Sequence, residues 1–400
     1  MTTLKAEIVE LVRQEGPIGI GRYMALALGH PRHGYYMTRD PLGAQGDFTT
    51  APEISQMFGE LIGLWAAEVW RQMGSPERFA LVELGPGRGT LMADMLRAAK
   101  AAPGFLQAVE VVLVETSPVL AEIQAEALAR TGVIRRWVRS VDDALGGGAL
   151  SPSPLSGEVG DVASPSENDP GSAADGAVRD DAPALPAIVI ANEFFDALPI
   201  RQFVRVSGEW RERLVGLGSD GRLVFGLSPT PPRGLALPPA EDGAVRELCP
   251  QALEITSRIA AHLKTHGGAM LAVDYGYGAG CGDTLQAMKA HAFSHPLAAP
   301  GEADLTAHVD FAALARVATA ARASPMRLID QADLLERLGI EMRAEALSRA
   351  APTGRDQIFA AADRLTDRSP RGMGALFKAL AVCDSRLGAP PAFEPIPGAD

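Results

Sequence analysis

Residues 81–90 read LVELGPGRGT: an apolar run carrying the acid Glu83, then Gly85, Gly87 and Gly89 at alternate positions. A helix follows, with apolar positions at Leu91, Met95 and Leu96. Glycines let a backbone turn tightly and approach a ligand, and the amides at a helix start point outward as donors. Strand, turn and helix of this kind form half of a βαβ unit, and the surrounding chain repeats the alternation. Strands are expected over 79–84, 109–114, 133–138, 187–191 and 269–273, with helices over 118–130 and 244–263 between them. Such alternation predicts an α/β fold, a mostly parallel sheet with helices on both faces. Unbroken apolar runs such as AIVIA at 187–191 suit strands covered on both sides. Upstream, Leu4, Ile8, Leu11 and Val12 mark a first amphipathic helix. Pro52 opens another, through Met57, Leu61 and Trp65 to near Gly74. Residues 202–227 alternate around Ser207-Gly208 and Asp220-Gly221, which predicts a β-meander inserted in the parallel plan. Helices are expected over 311–323 and 331–338, and 374–382 reads as a strand closing the sheet.

The chain has 400 residues, 47% apolar and 22% charged, which is ordinary globular composition and excludes a wholly disordered, collagen-like or coiled-coil protein. Its net charge is −12, and 32 of its 37 basic residues are arginine. That field does not draw nucleic acid or anionic lipid, so neither is an expected partner. Half of the net charge sits in residues 146–186, where seven acids face one arginine and no aromatic occurs. Such a segment buries too little apolar area to offset its ordering entropy and reads as a disordered surface insertion. Residues 1–78 then form an N-terminal helical region, and 79–145 with 187–400 form the α/β domain. Cys249, Cys281 and Cys383 lie far apart, which gives no disulfide framework or zinc site. His262 with His266, and His291 with His295, lack the HExxH pattern, so no metal is expected. No apolar run approaches bilayer length, so no membrane insertion is expected. Glu7, Glu10 and Glu15 argue against a leader peptide and predict a cytoplasmic chain.

A dinucleotide fingerprint would place its third glycine at position 90, where Thr90 stands. The spacing GxGxG behind Glu83 instead fits the S-adenosylmethionine turn of class I methyltransferases; a purely structural turn is the plainer alternative. Glu115 ends the second strand, where a carboxylate can accept both ribose hydroxyls of an adenosyl group. Its plainer role is an acid ahead of a helix N-terminus. Asn192, Glu193 and Asp196 follow the fourth strand, over whose end ligands sit in open α/β sheets. Two carboxylates three residues apart can grip a guanidinium and hold one nitrogen in line for methyl transfer. Alternatively, Glu193 caps a helix while Phe194 and Phe195 pack inward. Asp274 and Tyr275 end the fifth strand, lining a substrate channel or packing as a bonded aromatic pair. His308, flanked by Asp304 and Asp310, is either a substrate-side or a buried structural histidine.

Taken together, GHPRHGYYMTRDPLGAQGDFTTAPEISQMFGELIG (29–63), ELGPGRGTLMADMLR (83–97), VETSP (114–118), ANEFFDALPIRQF (191–203), DYGYG (274–278), GDTLQAMKAHAFSHPLAAPGEADLTAHVDF (282–311) and GMGALFKALAV (372–382) resemble the MidA family, whose mitochondrial members are known as complex I assembly factor seven. The insertion at 146–186 is the clear departure. The resemblance implies a seven-stranded class I, Rossmann-like methyltransferase fold and S-adenosylmethionine as cofactor. In the mitochondrial members it implies symmetric dimethylation of an arginine on a complex I subunit. Carried over by motif, Glu83, Gly85, Gly87, Gly89 and Glu115 hold the cofactor, and Asp47, Thr49 and Thr50 fold over it from the 1–78 region. Phe48, Glu53, Asp274, Tyr275 and His308 face the substrate, and Glu193, Asp196 and Asn192 are catalytic. The expected function is methylation of an arginine on a protein client. The rivals are an assembly chaperone that needs no catalysis and a small-molecule methyltransferase. Net acidity and paired carboxylates favour a cationic acceptor.

Overall fold

The computed structural model describes residues 3–38, 50–146, 184–235, 237–280 and 282–396. Among them the central sheet has nine strands, seven of them along its main path: β1 (Phe79–Leu84), β2 (Val109–Val114), β3 (Ile134–Val138), β4 (Ala187–Asn192), β5 (Gly268–Tyr277), β6 (Ser324–Pro325) and β7 (Phe377–Cys383), with Val309–Asp310 paired to β5 and Ile329–Asp330 to β7 off that path. The seven lie in the order β3-β2-β1-β4-β5-β7-β6. All neighbours from β3 to β5 are parallel, and β7 runs antiparallel to both β5 and β6. The order reverses between β1 and β4, and a crevice opens beyond the carboxyl ends of those two strands, where ligands of open α/β sheets bind.

Both faces of the sheet are covered, which explains why its strands read as unbroken apolar runs. Alternate residues serve opposite layers. Leu81, Val111, Ile188 and Leu271 pack with α4 (Gln56–Gln72) and α5 (Thr90–Ala99). Val82, Val112, Val189 and Met270 pack with α7 (Pro250–His266) and α8 (Phe311–Ala320). Each large aliphatic side chain so buried contributes roughly 1.5–3 kcal/mol. Helix α4 lies unusually close to α5. A Cβ on Gly59 would come within 2.6 Å of the Asp94 Cβ, and one on Gly63 within 2.5 Å of the Met95 carbonyl oxygen. Buried Glu60 of α4 locks the pair, accepting from Arg97 of α5 at 3.1 Å and from Arg343 at 2.7 Å. The helix that begins at the glycine turn is thereby held rigidly.

A third core stands beside the sheet. Strands Arg201–Val206, Glu209–Leu217, Leu223–Leu227 and Val245–Leu248 form the antiparallel meander. Helices α1 (Leu4–Glu15) and α2 (Ile20–Gly29) pack on it and on a small sheet of Gln286–Lys289, Ala292–Ser294 and Asp304–Thr306. This core carries the segment after α2 to the open end of the central sheet.

Several boundaries differ from the sequence expectation. The helix expected from 244 is a strand over Val245–Leu248, paired with Arg201–Val206, and turns helical only at Pro250. Cys249 precedes that proline, and a pre-proline residue is pushed out of helical geometry. The helix opened by Pro52 is two helices, α3 (Ala51–Ile54) and α4, broken at Ser55. Ser55 is extended and its hydroxyl accepts from the Met57 amide, capping α4. The strand expected to close the sheet is β7, inside it between β5 and β6. The segment read as a disordered insertion lies, over 147–183, outside the described residues.

Candidate active site

A cavity of about 600 Å³ lies over the carboxyl ends of β1, β2 and β4. Its first end is the glycine turn. Gly85, Gly87 and Gly89 all have left-handed backbones, with φ of 59°, 53° and 80°. Gly85 and Gly87 line the cavity, and a Cβ on Gly85 would meet the Phe194 ring at 3.0 Å. Gly89 stands behind as the N-cap of α5, against Gln124. Glu83 also lines the cavity; it is 3% exposed, and its Oε2 has no hydrogen-bond partner. Burial pushes its carboxyl up to about 8.

Glu115 follows β2 and lines the same cavity. Its Oε1 accepts from the Thr116 and Ser117 amides at 2.8 and 2.7 Å, and its Oε2 from Gln124 Nε2 at 3.0 Å. Burial raises its pKa, against the pull of these donors. Gln124, of α6 (Pro118–Ala127), was not singled out in the sequence. Its Nε2 also donates to the Gly87 carbonyl at 2.7 Å, while its Oε1 accepts from Trp137 Nε1 at 2.9 Å. One buried amide thus ties Glu115 to the glycine turn. A single glutamine inside a helix carries no motif, so only the fold reveals it.

Thr50 is the N-cap position of α3 and lines the cavity, with no side-chain cap bond. Asp47, Phe48 and Thr49 lie outside the described residues. Glu53, expected on the substrate side, is bound at the glycine end: its Oε1 accepts from Thr90 Oγ1 at 2.6 Å, and Arg88 lies 3.5 Å away. The break at Ser55 lets α3 turn over α5, which brings Glu53 there.

The second end gathers acids. Asn192 ends β4, and Glu193 takes a left-handed φ of 50°, rare outside glycine and associated with functional turns. Glu193 Oε1 accepts from the Ala51 amide at 3.0 Å and from Asn192 Nδ2 at 3.3 Å. Glu193 Oε2 and Asn192 Oδ1 are buried with no hydrogen-bond partner. Burial pushes Glu193 up to about 8, with repulsion from Asp196 and Asp304 adding to it. Asp196 is 4% exposed and is raised well above the carboxylate range by burial, then by Asp274 and Asp304. Asn192, Glu193 and Asp196 all line the cavity.

Three residues expected on the substrate side do not line it. Asp274 is fully buried in β5, and its Oδ2 accepts from the Phe194, Phe195 and Asp196 amides at 3.1, 2.9 and 3.3 Å. It holds the turn that carries Glu193 and Asp196, reaching all three amides from the adjacent strand. Tyr275 packs on Phe377, with ring centroids 4.0 Å apart, and stacks with His308 at 6.3 Å. The His308 amide donates to Thr284 Oγ1, and burial lowers the pKa of its ring. Neither ring is among the described residues that line the cavity, although the charges of Glu193 and Asp196 reach Tyr275.

A parallel sheet with one reversed strand next to its edge, a glycine turn after β1 and an acid after β2 define a class I methyltransferase. Residues 61–328 match the family described as "Putative S-adenosyl-L-methionine-dependent methyltransferase", and the chain belongs to that family. It is 36% identical to the Drosophila melanogaster "Protein arginine methyltransferase NDUFAF7 homolog, mitochondrial", over 97% of this chain and 86% of that one. It is 34% identical to the Homo sapiens "Protein arginine methyltransferase NDUFAF7, mitochondrial", over 96% and 83%. Among solved structures, a Burkholderia thailandensis protein bound to S-adenosyl-homocysteine superposes with a TM-score of 0.76 at 25% identity, covering 97% of this chain and 94% of that one. The protein is an S-adenosylmethionine-dependent methyltransferase. The residues present suit that cofactor: two left-handed glycines leave backbone exposed to the cavity, and Glu83 Oε2 offers a buried acceptor without a partner. The cytoplasmic placement expected from the acidic first residues is corrected, because the curated relatives are mitochondrial by name.

Proposed function

We propose that this chain methylates a guanidinium nitrogen of an arginine in a protein client, a complex I subunit being the client that the resemblance implies. The observation that carries this reading is Glu193 Oε2, buried in the cavity without a partner beside Asp196. Among the described residues no lysine, arginine or histidine pairs with either carboxylate. Buried acids are costly to ionise without a counter-ion, which is why both sit above their ordinary range. A guanidinium arriving from outside supplies the missing charge and its donors. The arginine methyltransferase names of the relatives support the same acceptor.

In this reading Gly85 and Gly87 bring backbone against the cofactor, Glu83 and Glu115 accept its polar groups, and Thr50 borders it from the N-terminal region. Gly89 opens α5 and serves through the turn. When bound, S-adenosylmethionine supplies a methyl group carried on a positively charged sulfur. Glu193 and Asp196 hold the guanidinium, so that one nitrogen faces that carbon in line. Asn192 Oδ1 accepts a further N–H. As the nitrogen forms its bond to the methyl carbon, the carbon–sulfur bond would break with its electron pair going to sulfur, and the proton shed by the nitrogen would pass to Glu193 Oε2, ionised while it faces the guanidinium and in surroundings that favour the protonated acid.

The test is mass spectrometry of methyl-arginine in three strains: a deletion, the deletion restored with the wild-type chain, and the deletion restored with Asp196→Asn. Wild type should restore the missing mark and the variant should not. Full methylation by Asp196→Asn would remove that residue from the acceptor site. Client assembly without any methyl-arginine would favour the chaperone function.

A further inference from the structure

Glu53 stands at the glycine end of the cavity, yet the short helix that carries it reaches the acid end as well. Helix α3 spans four residues, too few to hold a helix by its own hydrogen bonds. Its place is set by what it touches. Ala51 is fully buried and Ile54 partly so, both packed in the core shared with α4 and α5. At the first residue of α3 the Ala51 amide donates to Glu193 Oε1 at 3.0 Å, across 142 residues of chain. Two residues on, Glu53 Oε1 accepts from Thr90 Oγ1 at 2.6 Å, and Arg88 lies 3.5 Å from its Oε2. One turn of helix thus reaches from the start of α5 to the acid turn, and Thr50, Pro52 and Glu53 line the cavity on the way.

We propose that Glu53 is a positioning residue for methyl transfer: its bond to Thr90 seats α3, and the seated Ala51 amide holds the Glu193 carboxylate in the direction that an incoming guanidinium needs. This rests on the arginine reading above and adds the part that aims its carboxylate. The Glu193 backbone is fixed from β5, since its amide donates to the Val273 carbonyl at 2.9 Å and the next three amides reach Asp274. Those bonds fix where the side chain begins and not where it points. Its direction comes from the Ala51 amide at 3.0 Å and from Asn192 Nδ2 at 3.3 Å. The nearer donor belongs to another segment of the chain, so the aim of Glu193 depends on α3 being in place. With Oε1 engaged in this way, Oε2 is the oxygen left for the acceptor.

A hydrogen bond donated to a carboxylate favours its ionised form, and the Ala51 amide draws the Glu193 pKa down against burial. Losing that donor raises Glu193 further, so it ionises only at higher pH, and the acidic limb of guanidinium binding moves upward. The titratable groups facing Glu193 are Asp196 on its own turn, Asp274 and Tyr275 on β5, and Asp304 of the small sheet, which accepts from the Tyr36 hydroxyl at 2.8 Å. On α3 the charged group is Glu53 itself, turned toward Thr90 and Arg88. Deleting an acid there would by charge alone move the limb downward, so the two effects have opposite signs. A residue with only a packing role would lower stability and leave the limb where it is.

The experiment titrates the full chain, saturated with S-adenosyl-homocysteine, with two short acetylated and amidated peptides that differ at one position: arginine, or citrulline, its neutral isostere. Affinities are measured at pH values on both sides of about 8, where Glu193 titrates. Wild type should prefer arginine, with an acidic limb. Glu53→Ala should move that limb upward by about one pH unit, the equivalent of one hydrogen bond to a charged group. Thr90→Val removes the donor hydroxyl, changes no charge and should move the limb the same way. Glu53→Gln keeps an oxygen for Thr90 and should restore most of the wild-type limb. A limb that stays in place or moves downward in Glu53→Ala or in Thr90→Val, with the wild-type preference present, overturns the role of Glu53 and leaves the arginine reading standing. A wild-type chain that shows no arginine preference, or binds no peptide, overturns the arginine reading and this proposal with it. Should Glu53→Ala fail to fold, Thr90→Val decides on the same criterion.

Discussion

At the glycine end of the cavity, Glu83, Gly85 and Gly87 lie on one continuous strand and turn, and Glu115 directly follows the neighbouring strand. At the acid end, Tyr36, Glu193, Asp196, Asp274 and Asp304 come from four separate stretches of chain and meet only because the meander core packs beside the sheet. The glycine end is local geometry: a backbone made to turn and a helix start pointed at a ligand. The acid end is assembled charge, and burial first, then repulsion from neighbouring acids, raises Glu193 and Asp196 above their ordinary pKa. In the proposed reading, a ligand common to a whole class is met by a local motif, whereas the acceptor is met by a site that no single motif describes.

The largest expected effect breaks the first end alone. Gly87 sits at φ 53°, and a valine there is strained both by its backbone and by its β-branch. Gly87→Val should abolish S-adenosyl-homocysteine binding in calorimetry while circular dichroism still reports a folded chain. Unchanged affinity would remove the turn from the cofactor site.

The next effect belongs to the second end. Glu193→Gln keeps an oxygen for the Ala51 amide and removes the charge. Methyl transfer should fall by about two orders of magnitude, the scale of one lost electrostatic contact in a transition state. Cofactor affinity should barely change, and a parallel loss of both would mean that the two ends are not separable.

Glu115→Ala should weaken cofactor binding by about 1–3 kcal/mol through lost charge-assisted bonds. Gln124→Leu should weaken it less, since Glu115 keeps its two backbone donors. Calorimetry that ranks the glutamine above the acid would show that Gln124 shapes the glycine turn more than Glu115 does.

The mildest effect is graded. Glu83 and Glu193 have ordinary values of 4.5 and are pushed up to about 8 in the fold, so the folded chain keeps protons that the unfolded chain has released. Stability of the cofactor-free protein should therefore fall as pH rises from about 4.5 to about 8, and level off above. Glu83→Gln should flatten part of that decline in melting curves. A melting temperature that rises over this window would show that the two acids ionise freely in the fold.

Periodicity and turn chemistry made most of the sheet legible. AIVIA, VVLV and the glycine spacing report burial on two faces and a forced turn, which are properties of neighbouring residues. Val245–Leu248 was not legible, because four residues pairing across the meander outweigh the helical pattern that follows them. Asp274 was misread for a similar reason. An acid at a strand end looks available to a ligand until the next strand's turn delivers three amides to it.

By itself, the sequence determined the alternating α/β sheet, the glycine turn after β1 and the place of the two acids after β4, because each depends on contacts within a few residues or on the apolar period of one element. Only the tertiary structure decided which acids face the cavity. It turned Asp274 inward and Glu53 toward Thr90 and Arg88, and it brought Asp304 to Tyr36. Whether a buried carboxylate is satisfied or left waiting for a cation depends on which donors other segments bring to it, and those donors lie tens to hundreds of residues away in the chain.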